Sequence, residues 1–236
     1  MTLTDTQLPT RSDLGYDQLR PLMSLMSGDE KHTEAATSTL DAVWTLYDRV
    51  LDVDPSDPTA EDRDRFYLSK GHGPMAYFAV LAAKGFIPLS ELDGFGSWNS
   101  TLGHHPDRTL VDGVEISSGS LGHGLPLAVG AALGMRLKQT PGHVYVLLGD
   151  GELDEGSNHE AIAAEARFRL GGLTAIVIDN NSAHLGWPGG IAARFGTEGW
   201  TTTTVNGRDH DEIEAAVANP TGSAPHAVIA RVGSYR

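Results

Sequence analysis

The feature that most constrains this chain lies in its second half, where short apolar runs alternate with helical patterns. Val144 to Leu148 is an unbroken apolar stretch, residues 155–169 carry an amphipathic helical pattern, and Ala175 to Ile178 is a second apolar run. A strand that is apolar throughout is buried on both faces, and two such strands joined by a helix form a βαβ unit with parallel strands. The alternation continues through Thr201 to Val205 as a strand, 209–218 as a helix and Ala227 to Val232 as a final strand. The pattern predicts an α/β fold, a parallel β-sheet with helices on both faces.

Upstream the signals are mostly helical. A helix is expected over 13–26, with Ser12 as cap and Leu14, Leu19, Leu22, Met23 and Met26 on its apolar face. A second is expected over 34–51, where Leu40, Val43, Trp44, Tyr47 and Leu51 recur at helical spacing before the Asp/Pro-rich stretch 52–58. Arg65 to Ser69 reads as a short strand, and 73–84 as an Ala-rich helix that stops at Gly85. The interval 86–118 reads as irregular, and 121–138 as a Gly/Ala-rich helix whose small side chains let it pack closely on a neighbour. The expected organisation is a flexible N-terminal arm over 1–12 followed by one domain over 13–236, a length within the range of single α/β domains.

Charge and composition exclude several classes. With 31 acidic against 17 basic residues the formal net charge is −14, which argues against nucleic acid or an anionic membrane surface as partner. No apolar run reaches the roughly 18 residues of a membrane span, and the N-terminus lacks a basic start and apolar stretch, so a cytoplasmic protein is expected. The chain has no cysteine, so a bound metal must take His, carboxylate or amide-oxygen ligands, which favours hard cations.

Ligands of parallel sheets sit at the carboxyl ends of the strands, and there the sequence places Gly149-Asp150-Gly151 after one strand and Asp179-Asn180-Asn181 after the next. The glycines let backbone approach a ligand, while an Asp carboxylate and an Asn amide oxygen are hard donors suited to magnesium completed by phosphate oxygens and water. Taken singly, each is also an ordinary turn former.

The pair, Gly149-Asp150-Gly151 and then Asn180-Asn181 after the 28 residues 152–179, resembles a thiamine-diphosphate signature. Its neighbours narrow the resemblance to the transketolase family over roughly 28–232: Gly-Asp-Gly-Glu-Leu-Asp-Glu-Gly at 149–156, Leu-Ser-Lys-Gly-His-Gly at 68–73, His105-Pro106-Asp107, and Gly-Val-Glu-Ile-Ser-Ser-Gly-Ser-Leu-Gly-His-Gly at 113–124, in the family's order. The chain thus looks like the thiamine-diphosphate-binding subunit of a split transketolase. The resemblance implies that Asp150, Asn181 and the Ala183 carbonyl ligate magnesium, or calcium or manganese in its place. It implies backbone contacts to the cofactor from Gly119, Ser120, Leu121, Gly149, Gly151 and Glu152, and a contact from His72 to diphosphate or substrate. His32, His72 and His105 would serve the reacting carbon, where a group with a pKa near working pH suits proton transfer. Glu155 would meet the cofactor-activating glutamate of the other half.

The implied activity is transfer of a two-carbon ketol unit from a ketose donor to an aldehyde acceptor. The implied partner is a C-terminal transketolase-like subunit carrying the pyrimidine-binding domain, in an α2β2 assembly acting on small sugar-like substrates. Departures from the family pattern are visible. Residues 27–33 read Ser-Gly-Asp-Glu-Lys-His-Thr where the family has Ser-Gly-His-Pro-Gly, the loop 181–187 lacks the usual Asp-Gly, and His104 and His123 replace the usual glycine and glutamine. The roles of His104, His123 and His184 stay open. So do a 2-oxoacid dehydrogenase or decarboxylase α-subunit, a non-catalytic scaffold of the same fold, and for Glu155 the simpler role of a first-turn helix acid.

Overall fold

Five strands run parallel in one sheet in the order β1-β2-β3-β5-β4: β1 (Arg65–Leu68), β2 (Val144–Gly149), β3 (Leu173–Asp179), β4 (Thr201–Asn206) and β5 (His226–Arg231). The computed structural model describes residues 14–26, 33–218 and 223–233, so the expected arm over 1–12 and the candidate His32 lie outside the described residues. Every residue of β2 is buried, as are all but the last of β3 and of β5, which is why those runs read as continuously apolar. β4 is an edge strand with Thr202 to Thr204 exposed.

Alternate strand residues feed two separate cores. Tyr145, Leu147, Ile176, Ile178, Val228 and Ala230 face a layer built from α1 (Tyr16–Met23), α2 (Thr33–Thr45, closing in a wider turn at Leu46–Val50), α3 (Met75–Lys84) and α7 (His210–Val217). Val144, Val146, Leu148, Ala175, Val177 and Ile229 face α4 (Gly124–Lys138), α5 (Gly156–Phe168) and α6 (Gly190–Thr197). Helices therefore cover both faces, as expected. α3 is buried along Met75 to Ala83 and ends at Gly85, whose φ of 89° needs a glycine.

The differences from the sequence reading have local causes. The Gly/Ala helix starts at Gly124 rather than 121, because Gly119 (φ 135°) and Gly122 (φ 82°) hold a turn ahead of it. α6 was not expected; its segment opens on Gly189-Gly190 and carries Gly196, which weakens the helical signal although Phe195 is fully buried. The interval 86–118 contains a short 3-10 segment, Leu89–Gly94, and contributes Leu92, Phe95, Leu102 and Val111 to the core. Its irregular backbone is anchored by the Asp107 carboxylate, which accepts from the Thr109 amide (2.8 Å) and the Ser117 hydroxyl (2.8 Å).

This arrangement places the carboxyl ends of β1, β2, β3 and β5 side by side along one edge. Behind that edge, one group in the core opposes folding. Glu165 of α5 has no exposed surface, and neither carboxyl oxygen has a partner among the described residues. Burial pushes its carboxyl up to about 8, against a weaker opposing pull from Arg136. A carboxyl raised in the folded state keeps its proton there, so the cost to folding is absent below its ordinary value of 4.5 and grows as pH rises towards 8. Glu165→Met is therefore expected to raise the melting temperature by several degrees at pH 8, with the gain shrinking towards pH 4.5. Melts followed by circular dichroism across that range check this; a gain independent of pH would contradict it.

Candidate active site

β2 ends in Gly149, and the chain turns at Asp150 into one 3-10 turn, Gly151–Asp154. A methyl group on Gly149 would stand 3.3 Å from the Lys70 side chain, and one on Gly151 would stand 3.3 Å from the Ser182 carbonyl, so both positions favour hydrogen. Asp150 is 1% exposed and its carboxylate crosses to the loop after β3. It accepts from the amides of Gly151 (2.9 Å), Ser182 (2.7 Å) and Ala183 (3.3 Å) and from the Ser182 hydroxyl (2.5 Å). Four donors fill the roughly four lone-pair sites of one carboxylate. Asn181 enters that loop at φ 61°, a left-handed conformation that Asn tolerates better than most residues. Asp150, Asp179, Asn181 and Ala183 line one cavity of about 230 Å³, closed on its other side by Trp187 and the start of α6.

A second carboxylate ties the remaining loops to this one. Glu152 is buried, and it accepts from the Ser69 hydroxyl at the end of β1, from the Gly122 amide (2.9 Å) ahead of α4 and from the Gly149 amide (3.2 Å) of β2. Burial raises its carboxyl, while those hydrogen bonds and the nearby Lys70 pull it back towards the charged form. Ser69 in turn accepts from the Gly124 amide at 3.0 Å, and the Asn158 side chain donates to the Glu152 carbonyl at 2.6 Å. The packing leaves no room for side chains: a methyl group on Gly124 would lie 2.2 Å from Ser69 Cβ, one on Gly122 2.6 Å from Glu155 Cβ, and one on Gly71 2.2 Å from Ser118 Cβ. The small residues before α4 are thus required by contact with the other loops.

Of the residues singled out from the sequence, Gly149, Asp150, Gly151, Glu152, Asn181 and Ala183 fall on these two touching strand ends. Gly119 sits against the ring of His105, where an added methyl group would stand 3.2 Å from the imidazole, and Ser120 and Leu121 continue the same turn. His72 follows Gly71, which packs on Ser118, so His72, His105 and Gly119 share one neighbourhood. Glu155 is exposed beside Gly122 at the start of α5. His104 packs edge-on to Phe95 at 5.5 Å; His123 precedes α4 and lines a groove between α4 and α5; His184 is exposed, its amide donating to Asp154 at 3.2 Å.

Two buried charged groups at this edge escaped the sequence reading. Lys70 is only 4% exposed and donates from Nζ to Ser38 Oγ at 2.6 Å. Desolvation lowers its ammonium to about 8, with Asp150 and Glu152 opposing. A lysine inside Leu-Ser-Lys-Gly-His-Gly, at the end of a buried strand, was the available signal. The other is the Glu152 side chain, for which only a backbone role was expected.

The donor set suits a hard divalent ion: a carboxylate, an amide oxygen and a main-chain carbonyl on one cavity. Among the described residues no three His, Cys, Asp or Glu side chains are grouped to hold a metal, so an ion held here would also have to draw on neutral oxygens such as those of Asn181 and Ala183. Because Asp150 is saturated by loop donors, an ion would enter by exchange with them.

A family profile described as "Transketolase, thiamine diphosphate binding domain" matches residues 22–232. The chain is 55% identical over 227 residues to "Ferredoxin fas2" of Rhodococcoides fascians, covering 96% of this chain and 74% of that protein. It is 42% identical over 154 residues to one subunit of the apulose-4-phosphate transketolase of Actinobacillus succinogenes (65% of this chain, 55% of that protein). It is 34% identical over 192 residues to "6-deoxy-6-sulfo-D-fructose transketolase subunit SqwG" of a Clostridium species (79% and 70%). Among solved structures, transketolase from Campylobacter jejuni superposes with a TM-score of 0.75 at 25% identity, over 92% of this chain but only 38% of its own. The transketolase of Leishmania mexicana, at 24% identity and a TM-score of 0.76, shows the same fold over 36% of its length. The chain belongs to the transketolase family and has the fold of its thiamine-diphosphate-binding domain.

Proposed function

We propose that this chain is the diphosphate-binding subunit of a split, thiamine-diphosphate-dependent transketolase, a transferase that needs a second subunit for activity. The observation that carries the reading is the convergence of three of the four motif segments and the loop after β3, through Glu152 and Asp150, on one edge of the sheet. Relatives named as individual transketolase subunits support a divided enzyme, and the chain spans little more than a third of the solved transketolases it resembles. Those relatives' names carry a phosphorylated and a sulfonated sugar, which supports small anionic sugars as substrates.

In this reading Asp150, Asn181 and the Ala183 carbonyl hold the metal, and the amides of Gly151 and Glu152 meet the diphosphate. Lys70 offsets the negative charge gathered there. When bound, thiamine diphosphate supplies a nucleophilic ring carbon and an electron sink for the cleaved carbon–carbon bond. His72 and His105, grouped beside Gly119, exchange protons with substrate hydroxyls, and His32 is assigned the same task. Glu155, exposed at the head of α5, meets the partner's glutamate and shares a proton with it. Leu121 and Leu127, exposed ahead of and early in α4 on the side of the Gly122–Glu155 contact, and Leu137 (74% exposed) and Phe168, exposed at the far ends of α4 and α5, are apolar surface that fits burial against the pyrimidine-binding subunit in an α2β2 assembly. No described helix is long and apolar enough to cross a membrane.

A second reading is the α-subunit of a 2-oxoacid dehydrogenase or decarboxylase, and the relative named a ferredoxin fits an electron-transferring setting. This chain has no cysteine and so no thiolate for an iron–sulfur cluster, which places any such cluster on another protein or domain. The donor decides: ketose cleavage supports the first reading and 2-oxoacid consumption the second.

Calorimetric titration of thiamine diphosphate with magnesium, into this chain together with its complementary subunit, should show saturable binding. Asp150→Ala should weaken it by about 100-fold or more, since even residues that only orient metal ligands cost 10–100-fold. Absence of binding by the wild-type complex would end the proposal. A separate outcome concerns the loop. If the Ser182 hydroxyl competes with the ion for Asp150, Ser182→Ala should tighten Mn²⁺ binding by about tenfold, the worth of one hydrogen bond to a charged group. Electron paramagnetic resonance titration reads this, and weaker binding would show the hydroxyl to be a ligand.

A further inference from the structure

The loop after β3 is held by bonds that ion binding would break. Its Ser182 and Ala183 amides donate to Asp150, and those are the hydrogen bonds an entering cation displaces. Asn181, Ser182, His184, Leu185 and Gly186 are exposed, so burial does little to keep this stretch in place. The amides of His184 and Leu185 also donate, to Asp154, but at 3.2 and 3.3 Å both bonds are long for donors to a carboxylate. The loop therefore needs an anchor that does not compete with an ion.

Trp187 ends the loop and is half-buried against the core under α4, α5 and α6, as are Ile191 and Ala192. Its ring centroid lies 4.8 Å from that of His159 on α5, at an interplanar angle of 40°, and the Arg194 guanidinium of α6 stands over the indole at 5.1 Å. Arg194 also donates to His159 Nδ1 at 3.4 Å and to Glu198 at 3.2 Å, so Trp187, His159 and Arg194 form a closed triangle that spans two helices. A guanidinium at that distance is attracted by the negative face of the indole. The Trp187 carbonyl accepts from the Gly190 amide at 2.8 Å, which ties the loop to the start of α6. The indole N–H is buried and has no acceptor among the described residues, so the ring is held by its π-system and its apolar area, not by its polar end. None of these contacts uses an oxygen of Asp150, Asn181 or Ala183.

We propose that Trp187 is the positioning residue of this loop: its contacts with His159 and Arg194 hold residues 181–186 against the end of β2, so that the oxygens of Asn181 and Ala183 stay beside Asp150 when the Asp150 hydrogen bonds are given up. Trp187 acts through Asn181 and Ala183 and is not itself a ligand. The anchor follows from the fold alone, and its consequence for an ion rests on the metal-binding reading given above.

The test is amide hydrogen exchange of the full chain without metal or cofactor, read by mass spectrometry, in wild type, Trp187→Ala and Trp187→Phe. Exchange over 181–187 is expected to speed up about tenfold or more in Trp187→Ala, with β3 unchanged. Trp187→Phe should stay close to the wild-type rate, because it keeps an aromatic ring and removes an N–H that has no acceptor. Equal loop exchange in wild type and Trp187→Ala overturns the proposal, and so does an acceleration shared by β3, the mark of general destabilisation. Circular dichroism melts verify folding. Should Trp187→Ala not fold, Arg194→Met, which takes the cation from the ring, is expected to speed loop exchange about threefold, and no change there overturns the proposal. A Mn²⁺ titration followed by electron paramagnetic resonance, with thiamine diphosphate and the complementary subunit present, reads the consequence for the ion. Affinity should fall about tenfold in Trp187→Ala and recover in Trp187→Phe. Unchanged affinity in Trp187→Ala refutes the positioning role, whereas a wild-type complex that takes up no Mn²⁺ refutes the metal-binding reading and leaves hydrogen exchange to decide the anchor.

Discussion

The buried carboxylate of Glu152 is the constraint on which the rest of the site depends. It gathers a hydroxyl from the end of β1, an amide from the end of β2 and an amide from the turn before α4, three segments far apart in sequence. Burying a carboxylate is costly unless it is fully hydrogen-bonded, and here the donors are the loops that build the site. That one requirement explains features that otherwise look separate. Ser69 must be small and must donate, Gly122 and Gly124 must lack side chains, and Asn158 must reach back to the Glu152 carbonyl. Losing Glu152 would leave two shielded amides and a hydroxyl without their acceptor at the meeting point of these loops.

Around this clamp, charge is distributed unevenly. Asp150, Asp154 and Asp179 crowd the carboxyl edge, and backbone amides of the loop after β3 satisfy much of their capacity: Ser182 and Ala183 donate to Asp150, His184 and Leu185 to Asp154. The loop is therefore held by the same acid that would coordinate a cation. Binding a metal becomes an exchange of Ser182 and Ala183 hydrogen bonds for ion–oxygen bonds, so loop conformation and metal affinity are linked. Lys70 on one side and Arg231 on the other supply positive charge where the chain as a whole has little to give.

Much of this was legible in the sequence, for physical reasons. β2, β3 and β5 are buried on both faces, so their apolar runs have no competing interpretation, and strand ends in a parallel sheet are ligand positions by construction. Gly149-Asp150-Gly151 and Asn181 could be placed there because they follow directly on those runs, and it is their pairing on adjacent strands that sets them apart from ordinary turn formers. The missed features depend on tertiary contact. α6 hides behind its glycines until Phe195 is seen in the core. Glu152 and Lys70 have no periodic or compositional signature; their roles appear only when β1, β2 and α4 are packed together. The helix at 121–138 was expected to pack closely, but the reason, the collision of added methyl groups with Ser69 and Glu155, is a fact of three dimensions.

The central claim, that two neighbouring strand ends present oxygens to a single cation, is most directly tested by anomalous diffraction from crystals of the chain with its complementary subunit, Mn²⁺ and thiamine diphosphate. One manganese peak is predicted within about 2 to 2.3 Å of an Asp150 carboxylate oxygen, the Asn181 amide oxygen and the Ala183 carbonyl, with a diphosphate oxygen completing its shell. A fully occupied peak elsewhere, with Asp150 still bonded to Ser182 and Asn181 turned away, would contradict it.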